Sequence, residues 1–79
     1  MRSARVKLTF PEHLVCQPIV GRMVQQFGVL PNIRRASVEE HVGWMICEID
    51  GEEACVDAAV SWLVGIGVQV DRLSDVVES

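Results

Sequence analysis

The stretch Val29-Leu30-Pro31-Asn32-Ile33-Arg34-Arg35-Ala36-Ser37-Val38-Glu39-Glu40 decides the fold. It follows a helical segment that stops at Gly28, and it leads through the turn His41-Val42-Gly43 into another strand. It reads as the second strand, over residues 29–40. Pro31 cannot donate to a ladder, so this strand belongs at a sheet edge. Ile33 and Val38 are out of period-two phase with each other, and a bulge near Arg34-Arg35-Ala36 would restore both to the core face.

Upstream, Arg5-Val6-Lys7-Leu8-Thr9-Phe10 alternates polar and apolar, a half-buried strand with Val6, Leu8 and Phe10 inward. Pro11 ends it, and residues 11–17 read as a loop. Pro18 suits a first helical turn, where its missing N–H costs nothing. Ile19, Met23, Val24 and Phe27 recur at helical spacing, and Gly28 can take the positive φ of a helix end. Downstream, the third strand spans residues 44–50, with Met45, Cys47 and Ile49 on one side and Trp44, Ile46 and Glu48 on the other. Asp50-Gly51-Glu52-Glu53 opens a second helix, with Asp50 as its cap and Glu53 at the reciprocal position. Val56, Ala59, Val60 and Leu63 form its stripe, Gly65 and Gly67 close it, and residues 68–73 form a fourth alternating strand.

The order is therefore βαββαβ, an α+β chain. Right-handed crossovers give a four-stranded antiparallel sheet of order 4-1-3-2 with two helices on one face. The opposite face is left uncovered and carries Trp44 and Ile46. An open apolar face is a natural contact between two copies, so Trp44 and Ile46 are the expected homodimer interface. The chain forms a single domain over residues 1–79, with a core of about 4–73 and a fraying tail at 74–79.

Composition narrows the function. Apolar residues make up 49% of the chain, more than so thin a core needs, which again points to a second copy. The net charge of −4 argues against nucleic acid. No stretch is long enough to span a bilayer, and Met1-Arg2-Ser3-Ala4-Arg5 leads into a strand rather than a signal core, so a cytoplasmic protein is expected. Cys16, Cys47 and Cys55 have no paired spacing, so no metal or other cofactor is expected. His13 and His41 could meet Glu12, Glu39 or Glu40 at a metal, or stand as surface polar groups. Cys16, near a helix start, has no partner nucleophile or base in sequence. No acid–base or nucleophile set emerges, and an enzyme is not expected.

Leu8-Thr9-Phe10-Pro11, Pro18-Ile19, Asn32-Ile33, Gly43, Asp50-Gly51 and Ala59-Val60-Ser61-Trp62-Leu63, in this order, resemble the NIL domain. That is a ferredoxin-like, ACT-related module attached to the ATPase subunits of bacterial methionine importers, also found beside ferredoxin domains and alone. The resemblance implies a regulatory module that pairs as a dimer and binds methionine. It makes Asn32, Ile33 and Val38 the expected ligand-binding residues. An amide offers donors and an acceptor to an amino acid's charged end, though Asn32 could equally be a turn residue after Pro31. The expected function is thus a stand-alone module that senses methionine or a related amino acid. The alternative is a ligand-free interaction module that assists a transporter or sulfur-metabolism protein.

Overall fold

The structure, a computed structural model, describes residues 1–39 and 41–75. Its elements are β1 (Arg2–Phe10), α1 (Glu12–Val15), α2 (Ile19–Phe27), β2 (Leu30–Val38), β3 (Gly43–Gly51), α3 (Glu53–Gly65) and β4 (Gln69–Asp75). The four strands form one antiparallel sheet of order β2-β3-β1-β4, the expected order read from the other edge. This is the ferredoxin-like α+β fold.

The core lies between one sheet face and the helices. Alternation along β1 sends Ala4, Val6, Leu8 and Phe10 inward, and β3 adds Cys47 and Ile49. Above them α2 contributes Ile19 and Met23, and α3 contributes Val56, Ala59, Val60 and Leu63, the stripe read from sequence. Phe27 and Trp62, both half-buried, meet with ring centroids 5.8 Å apart and tie the end of α2 to α3. Trp62 is thus a packing residue. Gly28 ends α2 at φ 68°, the left-handed conformation that glycine adopts without a Cβ penalty.

Four expectations need correction. Residues 11–17 are not all loop, because Glu12–Val15 form one helical turn whose Leu14 plugs the core. Asp50 does not cap α3. The β1–β3 ladder runs through Gly51, opposite Arg2, so Asp50 is held in a strand opposite Ser3 and Leu30, and Glu52 occupies the cap position without a side-chain cap bond. The bulge on β2 is present between Ile33 and Arg35, and it does place Ile33 opposite Cys47 and Val38 opposite Gly43, on the helix-side face. Neither residue joins the core, however: Ile33 is 51% and Val38 75% exposed, because the helix layer leaves these two side chains largely uncovered. The fourth strand runs on through Asp75, so residues 74 and 75 of the expected fraying tail belong to β4. The remaining tail residues and Glu40, the expected end of the second strand, lie outside the described residues.

Candidate functional site

Two surfaces merit a functional reading, and both are built by the β2–β3 hairpin. The first is an apolar cleft of about 130 Å³ at the end of the helix layer. Leu14 and Val15 of α1 form one wall, and Ile19 and Val20 open α2 behind it. Phe10 and Met45 make the floor, and Val38 stands at the rim beside Gly43. Gln17 supplies a polar group. The cleft exists because Gly43 carries no side chain where β3 passes α1; a Cβ there would stand 3.9 Å from Val15 Cγ2. Across its neighbourhood His41 Nδ1 and a Glu12 carboxylate oxygen lie 2.9 Å apart, joining the β2–β3 turn to α1.

The second surface is the uncovered sheet face. Cross-strand register places Leu30, Asn32, Arg35 and Ser37 of β2 there, opposite Asp50, Glu48, Ile46 and Trp44 of β3. From β1 come Arg5, Lys7 and Thr9. The face is not the bare apolar plane expected from Trp44 and Ile46. Both are half-buried, and Lys7 Nζ lies over the Trp44 ring, 5.4 Å from its centroid. Beside them Glu48 accepts from Arg5 Nη2 at 2.8 Å and Arg5 Nε at 3.2 Å, and from Arg34 Nη2 at 3.3 Å.

The Glu48 side chain is 13% exposed, and its carboxyl is held below the usual carboxylate range. The Arg5 hydrogen bond is the main cause and Arg34 adds to it, against an opposing cost of desolvation. A depressed folded value means that the group favours folding above its unfolded pKa, roughly 4.3, and loses that contribution as pH falls through the lower folded value. Acidification from pH 7 into that window should therefore lower the urea midpoint of the native chain more than that of Glu48→Gln. Parallel pH dependences in the two proteins would remove Glu48 from the acid response.

The structure separates the expected ligand residues. Ile33 and Val38 share the helix-side face of β2, while Asn32 lies on the open face opposite Glu48. Six residues of strand put Asn32 roughly 20 Å along β2 from Val38. Of the three, only Val38 lines the cleft. Sequence reading does not identify Phe10, Leu14, Val15, Ile19, Val20 or Met45 as cleft residues: it places Phe10, Ile19 and Met45 on buried or one-sided stripes and Leu14 and Val15 in a loop, and gives Val20 no role. The available signal was Gly43, a glycine opening a strand beside an exposed edge.

The thiols carry no reactive arrangement. Cys16 is exposed and Cys55 half-buried, and burial pushes the Cys47 thiol up to about 11, which keeps it protonated. Among the described residues no group of His, Cys, Asp and Glu could hold a metal ion, and no helix is long and apolar enough to cross a membrane.

Strand order, the helix layer and the uncovered sheet define a ferredoxin-like α+β module. The chain belongs to the NIL domain family, whose model matches residues 4–72. Its fold is similar to that of the C-terminal domain of an ABC transporter ATP-binding protein from Enterococcus faecalis, with a TM-score of 0.78. The two are 23% identical over 90% of this chain and 83% of that one. A search of the curated proteins found no match.

Proposed function

We propose that the chain is a non-enzymatic regulatory module that binds a small amino acid with an apolar side chain, methionine or a sulfur-containing relative, and reports occupancy to a transport protein. The observation that carries this reading is the apolar cleft with Val38 at its rim, in a member of the NIL domain family. A thioether chain suits it: unbranched and polarizable, it adapts to an irregular apolar slot. The cleft's 130 Å³ accommodates a side chain of that size but not a nucleotide or a flavin. The similarity to a domain of a transporter ATP-binding protein supports the transport context. A cytoplasmic location fits that partner.

A second copy completes the reading. Strand β2 offers nine residues of free edge, with Leu30, Ile33 and Val38 exposed along it. Such an edge invites pairing with another chain. Edge pairing would bring the Asn32 of one chain level with the Val38 of the other, on opposite faces of the joined sheet, so a ligand that uses both must span the seam between the two chains. Trp44 and Ile46, half-buried among cations, suit this contact less than the edge does.

Isothermal titration with methionine, homocysteine and leucine tests the proposal, with light scattering on the same samples. Binding by the native dimer is expected, and Asn32→Ala should weaken it by roughly 1–3 kcal/mol as a ligand polar group loses its partner. Absence of heat with all of them would favour a ligand-free interaction module. A monomer that binds normally would remove Asn32 and the second copy from the site.

A further inference from the structure

The uncovered sheet face has a charge unlike the rest of the molecule. Among the described residues on it, Arg5, Lys7, Arg34 and Arg35 are cationic and Glu48, Asp50 and Asp71 are anionic, a surplus of one positive charge. The whole chain carries −4, so this face departs in sign from the chain as a whole. Four of the seven basic residues of the chain are therefore gathered on one side of an acidic protein.

The cations are not equally engaged. Glu48 is saturated by Arg5 and Arg34. Lys7 and Arg35 flank Ile46 from the neighbouring strands, and neither makes an ion pair among the described residues. Apolar surface lies between these charges. Ile46 and Leu73, the latter 45% exposed, share a shallow depression of about 310 Å³ with Arg5 and Arg34. Among the described residues no helix packs on this face, and it lies outside the cleft, sharing with the proposed amino-acid site only Asn32.

We infer that the open sheet face docks an acidic segment of a partner protein, whose carboxylates meet Lys7 and Arg35 while an apolar side chain seats on Ile46 and Leu73. The mixture decides the partner class. A nucleic-acid backbone would bring phosphates onto Glu48 and Asp71 as well as onto the cations, and it offers nothing to the apolar depression. A second copy laid face to face would bring its four cations onto this face as well as its three carboxylates. An acidic, apolar-anchored peptide offers carboxylates to Lys7 and Arg35, the two cations without an ion pair among the described residues, and an apolar group to Ile46 and Leu73.

Fluorescence anisotropy with a labelled Glu-Leu-Glu-Glu-Leu-Glu peptide tests the assignment, with a Lys-Leu-Lys-Lys-Leu-Lys peptide and a thymidine hexanucleotide as comparators. The acidic peptide should bind, and its affinity should fall by about tenfold as added salt shortens the screening length. Arg35→Glu should weaken binding by roughly tenfold, the size expected for reversing one docking charge. Arg22→Glu changes the net charge identically on α2, outside this face, and should leave the affinity within about twofold. Circular dichroism confirms that both variants are folded. No acidic-peptide binding at millimolar concentration would overturn the inference, as would equal losses in the two variants. Tighter binding of the hexanucleotide would replace the partner class with nucleic acid. Loss of self-association in Lys7→Glu, which lies on the central strand β1 and away from the β2 edge, would reassign the face to a second copy.

Discussion

Leu8→Ala is expected to destabilise the domain by about 3 kcal/mol, within the range of roughly 2–5 kcal/mol for truncating a buried leucine. Leu8 is fully buried on the central strand β1, between Met45 of β3 and Val70 of β4, and beneath the helix layer. Neighbours on both sides of the strand are held by backbone ladders, so the site cannot collapse to fill the void, and the cavity penalty adds to the lost transfer energy. A domain of this length has a total stability of roughly 4–12 kcal/mol, so the loss is a large fraction of it. Urea unfolding followed by tryptophan fluorescence measures the change, and the m-value should be unaltered. Ile33→Ala is the contrast: half of Ile33 is already in water, and the same truncation should cost less than about 1 kcal/mol in the isolated chain. If Leu8→Ala cost no more than Ile33→Ala, the placement of the core on the β1 face would be wrong.

That contrast shows where sequence reading succeeds and where it stops. Alternation in β1 and the stripe of α3 name the buried residues because both patterns describe elements packed on a neighbour along their whole length. Pro31 identifies an edge strand and the phase break at Ile33 and Val38 identifies a bulge, since both are local backbone facts. Phase tells which face a residue takes; burial also requires an element above it, and the helices leave Ile33 and Val38 largely uncovered. The Asp50 misreading has a similar origin. Asp-Gly-Glu-Glu is a good local capping sequence, but the ladder to β1 extends through Gly51 and holds Asp50 in the sheet, with its Oδ1 buried and unbonded. Helix α1 was illegible for a plainer reason: four residues carry no periodicity, and the turn is stabilised by Leu14 packing rather than by propensity. The open face was legible as a list of residues but not as a charge pattern. Arg5 and Arg34 converge on Glu48 only once the bulge has set the register. The cleft draws on α1, α2 and three strands, so no window of sequence contains it.

Gly43→Val should stabilise the fold and abolish ligand binding. Gly43 is buried in β3, paired with Phe10 and Val38, and its backbone lies outside the positive-φ region, so a branched side chain is conformationally allowed. A new Cβ would meet the Ser37 carbonyl oxygen at 3.5 Å and Val15 Cγ2 and Val38 Cα at 3.9 Å, all ordinary contacts. Replacing a glycine within a strand by a β-branched residue should contribute roughly 0.5–1 kcal/mol through backbone entropy and β-propensity. The added methyls enter the cleft and occupy the space proposed for the ligand side chain. Binding should then fall by more than about tenfold, since even one misplaced methylene in an apolar pocket is worth roughly 1–3 kcal/mol. Opposite signs make the test selective: a variant that merely misfolds loses stability and binding together. Thermal unfolding with and without methionine reads both quantities, because ligand stabilisation follows RT ln(1 + [L]/Kd). A variant with raised stability that still binds methionine as the native protein does would place the ligand elsewhere, and Asn32 on the open face would then be the next residue to test.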